Sequence, residues 1–142
     1  MCKKVLAIIL VLMLMLFPAT TASANELSQA IDEEITLFYA YTSSTTTMLS
    51  ISSSGVATSV GSIIGYQGLT TSIDIYLYLQ QYKNGSWVTI GSWYQYFNKN
   101  QGTASSTMNV QKGYQYRVRA SYFANSGYLF ENIVVNTPTK TY

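Results

Sequence analysis

The chain has 142 residues, room for one domain, with no histidine, a single cysteine and a formal net charge of +2. Without histidine there is no Ser-His-Asp or Cys-His nucleophilic site, and the common zinc sites also lack their ligands. The excess of positive charge sits at the N-terminus, where Lys3 and Lys4 precede an unbroken apolar run from Val5 to Phe17.

Pro18 ends that run, and Ala22-Ser23-Ala24 supplies small residues at a peptidase site. The layout predicts a secretory signal peptide over residues 1–24, cleaved after Ala24. At 1.5 Å per residue the run spans about 20 Å, short of the roughly 30 Å of hydrocarbon a membrane anchor must cross. No membrane span is expected in the mature protein, and the expected location is extracellular. Cys2 precedes the apolar region, so it leaves with the signal and the mature chain forms no disulfide. An exported domain of this size without disulfides points to a bacterium, and to a Gram-positive one.

Six basic residues remain after cleavage (Lys83, Lys99, Lys112, Arg117, Arg119, Lys140), balanced by six acidic ones (Glu26, Asp32, Glu33, Glu34, Asp74, Glu131). A neutral mature chain has no clustered Lys and Arg for phosphate, so no nucleic-acid partner is expected. Residues 25–44 read as a polar lead-in. Within it Asp32-Glu33-Glu34 is a solvated acidic run without calcium-ligand spacing. Ile35–Tyr41 is apolar and aromatic, either a first edge strand or a segment that packs over the domain.

From residue 45 to 137 the pattern is β throughout, with turn residues every eight to twelve positions. Strands are predicted over about 45–52, 56–65, 70–82, 86–96, 104–111, 114–123 and 128–136. Pro138 ends the last, leaving 138–142 as a tail. In the first strand Leu49 and Ile51 point inward, and in the second Val56, Val60 and Ile64 are in phase. The third alternates most clearly: Ile73, Ile75, Leu77 and Leu79 share one face, Asp74, Tyr76, Tyr78, Gln80 and Tyr82 the other. Asn84-Gly85 is a strong hairpin signal, because a type I′ turn needs positive φ at both central residues. Residues 97–103 read as a loop. Met108 and Val110 point inward, as do Tyr114, Tyr116, Val118, Ala120 and Tyr122. Seven short strands in about a hundred residues predict a single two-sheet antiparallel β-sandwich, with a small β-barrel as the alternative.

Two resemblances reinforce this. Tyr114-Gln115-Tyr116-Arg117-Val118-Arg119-Ala120 resembles strand F of fibronectin type III and related immunoglobulin-like domains, which places a tyrosine at a sheet corner. The strand B tryptophan usual in fibronectin type III is absent, and Val60 and Ile64 stand in that strand, so the resemblance implies a single immunoglobulin-like antiparallel β-sandwich without membership of that family. More of the chain is similar to small secreted proteins of clostridia and related Gram-positive bacteria that form a domain-of-unknown-function family. The residues that carry this are Met48–Gly55, Tyr78–Trp87, the second tryptophan Trp93, and Gly113-Tyr114-Gln115-Tyr116-Arg117-Val118. The resemblance implies export and a β fold, and no activity.

An enzyme is not expected, nor any cofactor. The domain holds only two carboxylates, Asp74 and Glu131, both mid-strand, and they read as solubilising surface charges. A two-residue turn at Asn84-Gly85 sets Tyr82 opposite Trp87, Gln80 opposite Thr89, Tyr78 opposite Gly91 and Tyr76 opposite Trp93. Ile75, Leu77, Leu79, Val88 and Ile90 then form the core face. The other face carries Tyr76, Tyr78, Tyr82, Trp87 and Trp93, the candidate binding face. Such a stripe suits stacking on sugar rings or anchoring a protein partner. Cross-strand aromatic pairs also stabilise a sheet without any ligand, and a slip of one residue exchanges the faces. Three readings follow: a structural stripe, a self-associating or partner-binding surface protein, and a polysaccharide-binding module.

Overall fold

A computed structural model describes residues 39–142. The expected signal peptide, its cleavage after Ala24 and the lead-in as far as residue 38 lie outside the described residues. The strands are β1 (Thr42–Ile51), β2 (Val56–Gly65), β3 (Ser72–Lys83), β4 (Ser86–Phe97), β5 (Gln101–Asn109), β6 (Gln115–Ser126), β7 (Leu129–Asn136) and the short β8 (Lys140–Thr141). They form two antiparallel sheets, β1-β2-β5 (sheet A) and β4-β3-β6-β7 (sheet B), with β8 also paired to β6. The protein is an all-β sandwich, not a closed barrel. Among the described residues no helix is long and apolar enough to cross a membrane.

Strict alternation in β3 and β6 builds the core. Ile73, Ile75, Leu77 and Leu79 of β3 are fully buried, as are Tyr116, Val118, Ala120 and Tyr122 of β6. Fully burying an aliphatic side chain of this size contributes about 1.5–3 kcal/mol, so this one sheet supplies most of the hydrophobic stabilisation. Asn84 and Gly85 have φ of 53° and 79°, the type I′ geometry expected for the β3–β4 hairpin.

Sheet A fills its side of the core with small residues, which corrects the reading of the second strand. Ala57, Ser59, Gly61 and Ile63 face inward, whereas Val56 and Val60 are half-buried on the outer face and Ile64 is exposed there. Large side chains from sheet B occupy the space. A Cβ on Gly61 would come within 2.7 Å of Leu77 Cδ2 and 2.8 Å of Tyr122 Oη. The Tyr122 phenol crosses between the sheets, donating to the Thr46 carbonyl at 2.8 Å and accepting from the Thr47 hydroxyl at 2.6 Å. Burial pushes its pKa up from the ordinary tyrosine value.

Two boundaries also differ from expectation. The predicted loop over 97–103 contracts, because β5 starts at Gln101 and pairs with Ile64; Gly102 leaves room there for the Phe97 ring. Residues 138–142 are not a loose tail. β8 pairs Lys140 with Tyr116 and Thr141 with Gln115, and Tyr142 donates its N–H to Tyr114 and its phenol to the Ser53 carbonyl at 3.1 Å. Of the apolar segment Ile35–Tyr41 only residues 39–41 are described. The Ala40 and Tyr41 N–H groups donate to the Glu131 carboxylate, at 2.9 and 3.3 Å. Glu131 is opposite buried Ala124, on the core side of β7. The chain therefore enters on the core side of sheet B, and its described part does not cover the outer face.

Candidate functional site

The site candidates lie on the outer face of sheet B, and one β-bulge decides which they are. From the turn outward, Lys83 pairs with Ser86, Tyr82 with Trp87, Gln81 with Val88 and Gln80 with Thr89. The register then shifts, so that Leu79 pairs with Gly91 and Ile90 is left as the extra residue. Past a bulge, every side chain changes face. Tyr82 and Trp87 stay paired as predicted, but Tyr78 faces Ser92, not Gly91, and Tyr76 faces Tyr94, not Trp93.

Trp93 is accordingly a core-side residue and not part of the outer aromatic face on which it was expected. It pairs with buried Leu77 and packs against the core. A Cβ on Gly91 would come within 2.6 Å of its ring and 3.1 Å of Met108 Sδ, so Gly91 seats the indole between β4 and β5. Val88, predicted to be in the core, is exposed, since it belongs to the turn end of the edge strand β4.

Tyr76, Tyr78, Tyr82 and Trp87 do share the outer face, and the structure adds Tyr94, Tyr96, Phe123 and Phe130 to them. Four of these rings form an unbroken row across all four long strands of the sheet. Tyr94 on β4 lies 4.7 Å from Tyr76 on β3, Tyr76 lies 5.8 Å from Phe123 on β6, and Phe123 lies 5.8 Å from Phe130 on β7. The ends are open, with Tyr94 55% and Phe130 64% exposed. Asp74 braces one end, accepting from Tyr94 Oη at 2.6 Å and from Asn125 Nδ2 at 2.9 Å. Its carboxylate holds the Tyr94 proton and pushes that pKa up to about 12.

A second cluster lies toward the β3–β4 turn. The Tyr82 and Trp87 rings are 5.2 Å apart. The Arg117 guanidinium stacks 4.4 Å from the Trp87 ring, and its Nε donates to Gln80 Oε1 at 2.8 Å. Gln80 is only 7% exposed and also donates to Thr89. Arg119 stands two residues along β6, opposite Tyr78, and is exposed. The sequence held the signals for these additions: a glycine inside β4 marks a bulge, and alternation in β6 turns Arg117, Arg119 and Phe123 outward once Tyr116 and Tyr122 turn in.

Asp74 faces outward and Glu131 toward the core, each with its own partners, so these two carboxylates make no catalytic pair. No group of three His, Cys, Asp or Glu side chains able to hold a metal ion occurs among the described residues. Two hollows lie off the aromatic face: about 450 Å³ beside Phe97 and Gly102, and about 390 Å³ between β1 and Pro138. Fold and site together define a β-sandwich with an aromatic, arginine-flanked outer sheet face. No protein-family model matches the chain, and no curated protein matches it.

Proposed function

We propose that this is a secreted, non-catalytic binding module that takes cell-wall or other polysaccharide on the outer face of sheet B. The observation that carries the reading is the row Tyr94–Tyr76–Phe123–Phe130. Packing rings against one another in the open has a solvation cost that a ligand repays, and pyranose rings present the apolar C–H faces such rings prefer. The neighbouring hydroxyl and amide groups supply hydrogen bonds. The resemblance to secreted Gram-positive proteins supports export. An immunoglobulin-like assignment is supported by Tyr116, whose phenol donates to the Gln111 carbonyl at 2.7 Å, five residues upstream at the β5–β6 corner.

The test uses protein recovered from the medium of an expressing bacterial host, with an N-terminus at Asn25 as the check on export. Tryptophan emission is titrated with a polysaccharide panel that includes peptidoglycan. A saturable change that survives in Thr103→Ala and is lost in Tyr94→Ala supports the reading. A flat response across the panel sinks it.

A second reading, a self-associating surface protein, rests on a different observation. Both edge strands of sheet A, β1 and β5, contain no charged residue and no proline. Edges of that kind invite strand pairing with another chain. Light scattering across a concentration series decides it: a growing oligomer that Met48→Lys abolishes supports strand addition, and a constant monomer removes it.

A further inference from the structure

We infer that the polysaccharide is acidic, its carboxylate or phosphate groups read by Arg117 and Arg119; this rests on the glycan reading above. The folded unit is more basic than the whole mature chain. Residues 39–142 contain all six Lys and Arg of the mature chain but only two carboxylates, Asp74 and Glu131. The charge balance of the mature chain comes from the acids at 26–34, outside this unit. Both of its carboxylates are removed from the arginines. Glu131 is on the core side, and Asp74 lies four and six residues along β3 from Tyr78 and Gln80, which face Arg119 and Arg117, about 13 and 20 Å at strand rise, and is bonded to Tyr94 and Asn125.

Arg117 is held in a way that keeps its charge available. Its partner is the neutral amide of Gln80, and the Trp87 ring lies against its plane. A carboxylate partner would neutralise it; a neutral acceptor leaves a full positive charge in a fixed orientation. Fixing the guanidinium beforehand lowers the ordering cost on binding. Only Nε is engaged by Gln80, so both terminal amino groups remain for the fork-to-fork pairing that planar oxyanions accept. Arg119 repeats the charge about 7 Å further along the same face. Exposed Tyr82 and half-buried Trp87 flank the pair with ring surface. Aromatic surface next to fixed cations matches a polymer whose units carry an apolar ring face and an acidic group.

The experiment is affinity electrophoresis of the exported protein in gels containing polygalacturonate, its fully methyl-esterified form, a glycerol-phosphate wall polymer, or neutral glucans. Retardation by polygalacturonate or the phosphate polymer, at least roughly tenfold stronger than by the ester and weakening as salt rises, is the expected result. Which of the two retards more assigns carboxylate or phosphate. Arg117→Gln/Arg119→Gln removes that preference, and Arg117→Lys partly restores it. If neither acidic polymer is retained better than the ester, or the double variant binds acidic polymer as well as the wild type, the acidic-ligand inference is wrong and the glycan reading stands. If no polymer retards the protein, both fall. A circular dichroism spectrum of the double variant matching the wild type shows that its loss is not unfolding.

Discussion

The two sheets bury opposite sides of one core, yet their outer faces are chemically unlike. Sheet A shows water rows of short hydroxyls: Thr46, Ser62 and Thr103 in one, Ser50, Thr58 and Thr107 in another. Ser62 and Thr103 hydroxyls are 3.0 Å apart, satisfying one another across strands. Sheet B shows rings and arginines at the corresponding height. Threonine and tyrosine are both good strand formers, so pairing and propensity do not distinguish the faces. A sheet needs only its inward residues to fold. Sheet A also carries aliphatic side chains outward, Met48 beside Val60 and the exposed Ile64, whereas sheet B lines up aromatic rings in one continuous row. That continuous aromatic row is what motivates the proposal that sheet B's face takes a ligand.

The largest expected effect tests where the aromatic face ends. Trp93→Ala removes an inward indole and is expected to destabilise by about 2–4 kcal/mol, toward the lower part of the range for core tryptophan truncations because the ring is partly exposed. Trp87→Ala on the outer face is expected to cost about 1 kcal/mol or less. Urea unfolding of the two variants gives both numbers, and equal losses would mean that the bulge does not divide the strand as described. Next comes binding. Tyr76→Ala/Tyr94→Ala is expected to weaken polysaccharide retention by roughly tenfold or more, since ring truncations dominate such surfaces. Thr58→Ala and Thr103→Ala on sheet A are expected to leave retention unchanged and stability within about 0.5 kcal/mol. A comparable binding loss from the sheet A variants would end the distinction between the faces.

The smallest effect concerns pH. Tyr94 titrates near 12 in the folded protein because Asp74 accepts its proton. A raised folded pKa means that this interaction is fully present below pH 10, the ordinary tyrosine value, and is lost as pH rises through about 12. The difference in ultraviolet titration between wild type and Tyr94→Phe isolates that phenol. Asp74→Asn is expected to return it toward 10.

Much of this architecture was legible in single residues. Alternation in Ser72–Lys83 identifies the central strand and its buried face, and alternation of Tyr116, Val118, Ala120 and Tyr122 identifies the buried face of β6. The outer aromatic face was half legible. Tyr76, Tyr78, Tyr82 and Trp87 are legible as outward residues, because they lie on β3 or between the turn and the bulge. Trp93 reads as outward from the sequence and belongs in the core, while the outward placement of Tyr94 and Tyr96 is not legible, because all three lie beyond the bulge.

By itself, then, the sequence determined the seven long strands, the type I′ turn and the class of fold, since these follow from period-two patterning and from the φ preferences of Asn84 and Gly85. Only the tertiary structure decided which side chains look outward in two of those strands. In β4 the extra residue is visible only against its partner, where Thr89 pairs with Gln80 and Gly91 with Leu79. In β2 the larger residues, Val56, Val60 and Ile64, were read as the in-phase set. They turn outward because Leu77 and Tyr122, from the other sheet, already fill the space above Gly61. Local pattern sets the alternation; the volume left by the opposite sheet sets its phase.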